Sequence, residues 1–125
     1  MNEKKLYQNL KKHWTGYLKR IELKNEVGIP DCHMISSRKD DIFLELKFMG
    51  KEFKSSKLPI KNTQFIWFAE YAGRNAFMLF QVAEKYFLFS SRGVKHLKGK
   101  VEFEKFEKAA IKTTGSIKDM VDYLR

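Results

Sequence analysis

The segment from residue 42 to residue 48 constrains the fold of this chain more than any other, because every second residue in it is apolar. The apolar set is Ile42, Leu44, Leu46 and Phe48. Side chains of a β-strand point alternately to its two faces. The segment therefore predicts a strand with one fully apolar face packed on a core. This register places Phe43, Glu45 and Lys47 together on the opposite face.

A second strand is predicted to begin at Asp31, directly after the residues Gly-Ile-Pro of the motif at 28–31. The polar stretch at 36–41 is typical of a hairpin turn, so the two strands are expected to be neighbours. Neighbouring strands would bring Asp31 to the same place as Glu45 and Lys47. Carboxylates on adjacent strands can hold Mg²⁺, and a lysine beside them can act on a water or a phosphate oxygen. This combination favours phosphodiester hydrolysis.

The same residues also allow a simpler interpretation. A Glu-x-Lys pair on a strand is often a chance ion pair on a half-exposed sheet. The preceding Gly-Ile-Pro-Asp motif and the apolar back face of the strand at 42–48 favour the functional interpretation. His33 shares a face with Asp31; we expect a packed or surface histidine, with a contact to the metal site as the alternative.

With these motifs, the chain resembles the PD-(D/E)xK nuclease superfamily, and in particular small phage proteins of the VRR-NUC and Holliday-junction-resolvase-like type. The resemblance covers about residues 13–90. The matching residues are Arg20-Ile21-Glu22, Gly28-Ile29-Pro30-Asp31, Glu45-Leu46-Lys47 and Gln64. The resemblance implies a restriction-endonuclease-like core, an α/β (α+β) mixed sheet flanked by helices in the approximate order α-β-β-β-α-β-β-α.

The resemblance also implies roles for individual residues. Asp31 and Glu45 would be metal ligands for Mg²⁺, with Mn²⁺ as a substitute, and Lys47 would be the catalytic lysine. Glu22 matches the acid that such nucleases carry upstream and would complete the metal shell. Gln64 matches a glutamine that follows the Glu-x-Lys strand. Glu26 and Glu3 compete with Glu22 for the place of the upstream acid.

The net charge points to a polyanionic partner. Lys and Arg total 25 against 15 Asp and Glu, a formal charge of +10. Lysine outnumbers arginine, which favours contacts to the DNA backbone over the reading of bases. A lysine-rich composition that merely reflects an AT-rich genome is the alternative. The expected DNA-binding residues are Lys51, Lys54, Lys57 and Lys61 in the segment after the Glu-x-Lys strand, and Lys11 and Lys12 in the first helix. An ordinary solvated surface is the alternative for each group.

The remaining sequence predicts one domain over residues 1–125. A helix is expected at 4–18, a short strand near 17–24, and a helix at 63–73 with Asn62 as its N-cap and Gln64 in its first turn. Strands at 76–82 and 85–89 form a predicted hairpin. The expected tail elements are a short helix at 104–111 and a final helix that Ser116 opens. The tail from 92 to 125 carries no recognisable motif.

Several other classes of protein are excluded or disfavoured. The histidines lack zinc-ligand spacing, and the sequence has no phosphate-binding P-loop and no Gly-x-Ser-x-Gly elbow. No apolar run approaches the roughly 20 residues of a membrane span. No secretion signal is recognised, and the single cysteine, Cys32, cannot form an internal disulfide. These features favour the cytoplasm, that of a bacterial host cell if the protein is phage-encoded.

The expected function is Mg²⁺-dependent, structure-specific DNA cleavage for recombination or repair. Holliday junction resolution is the first choice, and it would suit a homodimer that cuts two symmetric strands. A VRR-NUC-type repair or flap nuclease, or a nicking nuclease, is the alternative enzyme. A catalytically silent nucleic-acid-binding protein on the same fold is the alternative from another class.

Overall fold

The computed structural model describes residues 2–21, 28–54 and 57–125. Within these ranges the chain forms four α-helices, one 3₁₀ helix and six strands. In chain order they are α1 (Glu3–His13), β1 (Leu18–Arg20), β2 (Cys32–Ile35), β3 (Asp41–Phe48), α2 (Asn62–Glu70), β4 (Ala76–Val82), β5 (Lys85–Ser90), the 3₁₀ helix (Val94–Leu97), α3 (Phe103–Ala109), β6 (Lys112–Thr114) and α4 (Ile117–Leu124).

The six strands form one sheet whose spatial order follows the chain order. Neighbouring strands are antiparallel except β3 and β4, which are parallel. A parallel pair needs a crossover connection, and α2 lies in it. The predicted class, a mixed sheet flanked by helices, is confirmed. The predicted order of elements is also present: α3 corresponds to the short helix expected at 104–111, and β6 is an added strand before the last helix.

The sheet separates two apolar cores. On the face covered by α1 and α4, here called the α1–α4 face, the core includes Leu6, Leu10, Cys32, Met34, Ile42, Leu44, Leu46, Leu88, Met120 and Leu124. On the opposite face, called the α2–α3 face, the core includes Phe68, Met78, Phe80, Phe87, Phe89, Val94, Leu97, Val101 and Phe106. The sheet is therefore buried on both sides, which explains why β4 and β5 are apolar at nearly every position.

The predicted alternation of β3 is confirmed from Ile42 to Leu46, whereas Phe48, the fourth residue of the predicted apolar face, is only partly buried. Ile42, Leu44 and Leu46 belong to the core on the α1–α4 face, while Phe43 packs against the core on the opposite face. Glu45 and Lys47 follow Phe43 at intervals of two residues and so share the α2–α3 face with it. The direction of the two site residues is thus fixed by the burial of their apolar neighbours.

Helix α1 ends earlier than the sequence predicts. The expected helix of 4–18 is wrong beyond His13, because Trp14 adopts an extended backbone with φ −82° and ψ 124°. The Trp14 indole Nε1 donates to the carbonyl of Tyr17 at 3.0 Å, and Gly16 has a φ of +109°. Trp14 keeps the apolar spacing of the helix because it enters the same core from the turn. In the described part of the chain, no helix has the length and apolarity needed to cross a membrane.

The prediction for the start of α2 is also corrected. Asn62 is the first residue of the helix and not its N-cap; that position is occupied by Lys61. The Lys61 N–H is instead satisfied by the Gln64 Oε1, which accepts it at 2.9 Å. The expected end at residue 73 is three residues too late, because the helix ends at Glu70.

The C-terminal region, for which the sequence predicted no role, contributes to both cores. Phe106 of α3 is fully buried on the α2–α3 face, and α4 packs against α1. The final helix begins as predicted, since Ser116 Oγ accepts a hydrogen bond from the Asp119 N–H at 3.2 Å. The predicted hairpin is confirmed as β4 and β5. The short edge strand β6 was not predicted.

Candidate active site

The candidate site lies where β2 begins and β3 approaches its end. Cys32 pairs with Leu44 across the antiparallel strands, so the next step of the register sets Asp31 opposite Glu45. The Leu46 N–H donates to Asp31 Oδ2 at 2.9 Å. This bond holds the Asp31 carboxylate against the main chain of β3, between the positions of Glu45 and Lys47. β2 and β3 are therefore neighbours, as predicted, and they bring Asp31 next to Glu45.

Glu45, Lys47 and Gln64 form a buried polar cluster on the α2–α3 face. Lys47 Nζ lies 3.5 Å from Glu45 Oε2. Gln64 Nε2 donates to the same Glu45 oxygen at 2.9 Å. Buried polar groups are costly unless they are paired, so each member of this cluster keeps the others in place. Gln64 therefore faces the site from the first turn of α2, where the sequence placed it.

Burial is the main cause that raises the pKa of Glu45 to about 8; the neighbouring Asp31 carboxylate acts in the same direction, and the Lys47 ammonium opposes both effects. Two carboxyl groups and one ammonium group share a poorly solvated place. If both carboxyl groups are ionised, the site carries an excess of negative charge. A cation between the two carboxylates would remove this penalty.

The donor chemistry of the site fits Mg²⁺. In the described ranges no group of three or more His, Cys, Asp or Glu side chains forms a metal-binding site. Asp31 and Glu45 are a pair of carboxylates, and Mg²⁺ is commonly held by one or two carboxylates while it keeps several waters. A structural zinc site would need four nitrogen or sulfur ligands, which this place does not offer.

Glu3 is the acidic residue that the structure brings to the site from outside the two strands. It is the first residue of α1 and is exposed as a whole, yet burial of its carboxyl group raises its pKa. The Lys47 ammonium lowers that pKa, Asp31 raises it and Arg20 lowers it. Glu3 is therefore close enough to Asp31 and Lys47 to interact with both. The other two candidates for the upstream acid, Glu22 and Glu26, lie outside the described residues.

Gly28 has a structural role in the Gly-Ile-Pro-Asp motif. Its φ is +89°, and a Cβ at this position would lie 2.5 Å from the carbonyl oxygen of Thr63. Only glycine combines this backbone conformation with so close an approach. Gly28 therefore lets the segment that leads to Asp31 pack against the first turn of α2, which also carries Gln64.

The predicted DNA-binding lysines do not all lie near the site. All six are exposed, namely Lys11, Lys12, Lys51, Lys54, Lys57 and Lys61. The segment that carries the last four connects β3 to α2, and Lys61 immediately precedes α2. Lys11 and Lys12 are in the last turn of α1, about 12 Å along the helix axis from Glu3. The structure thus separates the α1 lysines from the site.

His33 is packed, and its partner is the Asp41 carboxylate and not the carboxylates of Asp31 and Glu45. Its Nε2 lies 2.7 Å from Asp41 Oδ1, and its ring stacks on Phe43 with the ring centroids 5.0 Å apart. The expected packed histidine is confirmed. Sequence analysis missed the aromatic neighbours of this pair; the only signal was the spacing of Trp67 and Tyr71, which are four residues apart on α2.

Comparisons of the chain with protein-family models, with curated proteins and with solved structures found no match. The function is therefore inferred from the site itself. Asp31 and Glu45 can hold a hard divalent cation, Lys47 can donate to an oxygen anion or take up a proton, and Gln64 can fix the Glu45 carboxylate.

Proposed function

We propose that this protein is a Mg²⁺-dependent endonuclease of the PD-(D/E)xK type that hydrolyses phosphodiester bonds in DNA. The observation that carries the proposal is the meeting of Asp31, Glu45 and Lys47 at one place on the sheet. These are the residue types of the PD-(D/E)xK pattern in its order along the chain. They come from two strands that share the register described above.

The topology supports the same proposal. The resemblance to restriction-endonuclease-like proteins implies a first helix, then three strands, a second helix and two further strands in a mixed sheet. In this chain α1, the β1–β2–β3 group, α2 and the parallel strand β4 follow one another in that order. Helix α2 also supplies the polar residue that contacts the second acid, Gln64.

In the proposed reaction, Asp31 and Glu45 hold Mg²⁺ through their carboxylate oxygens. When bound, the ion would lower the pKa of a water and offset negative charge at the scissile phosphate. Lys47, whose Nζ lies 3.5 Å from Glu45 Oε2, would donate to the attacking water or to a phosphate oxygen. Gln64 keeps one Glu45 oxygen occupied, which leaves the other Glu45 oxygen for the metal.

Glu3 supplies the upstream acid in this proposal. The proposal is supported by the pKa of Glu3, which burial raises and which the charges of Lys47 and Asp31 also influence. Mg²⁺ often binds acids of its outer shell through water, so an exposed Glu3 is suited to that role. The helix α1, which carries Glu3, packs on β3 and so links the site to the α1–α4 face.

The proposed substrate is branched DNA, contacted mainly through its backbone. The formal charge of +10 and the exposed lysines between β3 and α2 support a phosphate-binding surface next to the site. Cleavage of a four-way junction at two symmetric positions would need a homodimer. A flap or fork substrate would need only one copy.

The decisive experiment uses end-labelled junction, flap, duplex and single-stranded DNA with Mg²⁺, with Mn²⁺ or with EDTA. Paired symmetric nicks in the junction would identify a resolvase, and cutting confined to flaps would identify a repair nuclease. Asp31→Asn and Glu45→Gln should abolish cutting while DNA binding persists. Cutting at the wild-type rate by either variant would refute the site. Tight binding without cutting in either metal would identify a silent DNA-binding protein.

A further inference from the structure

A row of partly exposed aromatic rings runs along the α2–α3 face beside the candidate site. It consists of Tyr17, His33, Phe43, Trp67 and Tyr71, here called the aromatic row. Consecutive rings are in contact along the row: the centroid distances are 5.3 Å for Tyr17–His33, 5.0 Å for His33–Phe43, 6.0 Å for Phe43–Trp67 and 4.0 Å for Trp67–Tyr71. Tyr17 is 45% exposed, and the His33 side chain is 27% exposed.

The row and the site are carried by the same two elements. On β3, Phe43 precedes Glu45 by two residues on one face, a separation of about 7 Å. On α2, Trp67 follows Gln64 by three residues, so it lies one turn further along the same side of the helix. On both elements an aromatic residue is the neighbour of a polar residue of the site, although it comes first along β3 and second along α2. A strand held at Glu45 would therefore meet the row within about two nucleotides.

The row ends at an open cavity of about 440 Å³ that Phe43 and Tyr71 line together with Asp41, Arg74 and Asn75. Aromatic walls offer stacking to a flat ring, and the asparagine amide and the aspartate carboxylate offer hydrogen bonds to a base edge. The guanidinium of Arg74 favours a phosphate.

We infer that the aromatic row and this cavity bind unpaired bases of the DNA strand that the site cuts, beginning at Phe43 about two nucleotides from the scissile phosphate. The inference rests on the proposed nuclease function and narrows its substrate. Bases of an intact duplex are stacked on one another and cannot present their faces to side chains, whereas unpaired bases stack readily on aromatic rings. The net positive charge of the chain favours a nucleic-acid strand as the occupant of a row that ends beside Arg74.

This inference separates the candidate substrates. A flap, a fork or a splayed junction provides unpaired bases next to the cut, while a fully paired four-way junction does not. Asp40 and Asp41 also line the cavity and repel phosphate. The strand backbone is therefore expected on the side of Arg74, with the base directed toward the carboxylates.

The test measures binding in EDTA, so it does not depend on cleavage. Wild-type protein is titrated into fluorescently labelled single-stranded DNA and into a duplex of equal length. Tyr71→Leu and Trp67→Leu keep apolar packing but remove the stacking faces. Each should weaken single-strand binding about tenfold, the loss expected for one stacked base, and should leave duplex binding unchanged.

Tyr123→Leu is the matched control, because Tyr123 is an exposed aromatic residue of α4 outside the row. Its ring contacts the Lys112 ammonium. It should leave both affinities unchanged. Thermal melts of all variants show whether folding is intact. Equal losses on single strand and duplex, or no loss on either, would overturn the inference and leave the row as core packing only.

A scan of abasic sites along the unpaired arm of a fork locates the bound base. Wild-type protein should lose about tenfold in affinity when the missing base is the one held by the row, and Tyr71→Leu should lose nothing further at that position. If the penalty is found but no DNA is cut with Mg²⁺ or Mn²⁺, the nuclease proposal fails and the base-binding row stands. If DNA is cut and no position carries a penalty, the nuclease proposal stands and the row fails.

Discussion

Gln64 links Glu45 to the main chain at the start of α2. Its Nε2 donates to Glu45 Oε2, and its Oε1 accepts the Lys61 N–H, both at 2.9 Å. The two ends of an amide have opposite hydrogen-bonding roles, so reversing it would lose both bonds. The carboxylate of the proposed metal site is therefore oriented by a helix cap as well as by its own strand.

Replacement of Gln64 should reduce cleavage more than it reduces stability. Gln64→Leu removes the bond that orients Glu45, and loss of such an outer partner typically costs about 10- to 100-fold in metal affinity or activity. The rate is measured as a function of Mg²⁺ concentration. Gln81→Leu is the matched control, since Gln81 is also a buried glutamine and its side-chain Nε2 donates to the Ala83 carbonyl at 3.1 Å, away from the site. An equal loss of activity in both variants would show that Gln64 acts through folding alone.

Glu45 should make the stability of the metal-free protein depend on pH. Its pKa is raised from 4.5 to about 8 in the folded state. Between these values the folded protein keeps a proton that the unfolded chain has lost, so stability falls as pH rises. The stabilisation is complete below pH 4.5 and is lost as the pH passes through 8.

This dependence is checked by thermal melts in EDTA across that pH interval. Glu45→Gln cannot ionise, so its melting temperature should fall less steeply than that of the wild type. Other titrating groups are common to both proteins and cancel in the comparison. Mg²⁺ would have to displace the Glu45 proton in order to bind. The affinity of the wild-type protein for Mg²⁺ should therefore rise with pH. Parallel slopes for the two proteins would contradict the raised pKa.

The sequence predicted the strands of the site because their apolar faces have a period of two. Burial of Ile42 and Leu44 on the α1–α4 face dictates that Glu45 points to the opposite face. The hairpin of β4 and β5 was equally predictable, because each strand is an apolar run and a short connection joins them. Edge strand β6 was not, because its three residues are Lys-Thr-Thr and are held by pairing with β5.

The approach of Glu3 to the site could not be derived from the sequence. It depends on how α1 packs across the sheet, and the apolar stripe of Leu6 and Leu10 shows which side is buried but not which strand it crosses. The same applies to the aromatic row. The spacing of Trp67 and Tyr71 shows that they are neighbours, but only the packing of α2 on β3 sets them against Phe43.

Replacement of Glu3 should raise the Mg²⁺ concentration needed for cleavage. Glu3→Gln removes a negative charge beside Asp31 and Lys47, and an increase of about tenfold is expected for an outer-shell acid. It also removes an acid from the first turn of a helix, which costs about 0.3–1 kcal/mol of stability. Glu104→Gln is the control, because Glu104 lies in the first turn of α3. Equal Mg²⁺ requirements in the two variants would exclude Glu3 from the site.

The exposed lysines between β3 and α2 should determine the salt dependence of DNA binding. Each lysine that neutralises a phosphate contributes about 0.9 to the slope of log K against log salt concentration. The triple alanine variant should therefore bind more weakly and with a slope smaller by about 2 to 3. The substituted residues are Lys51, Lys54 and Lys57.

A second triple variant controls for the loss of net charge. It replaces exposed lysines of α3 and α4 with alanine, namely Lys105, Lys108 and Lys118. Both variants lose three positive charges, so any effect of overall charge is common to them. Binding is measured at several salt concentrations on one fork substrate, in EDTA. If the two variants have equal salt slopes, the segment between β3 and α2 does not contact DNA. A smaller slope for the variant of Lys51, Lys54 and Lys57 alone would show that this segment contacts phosphates, next to the strand that carries Glu45.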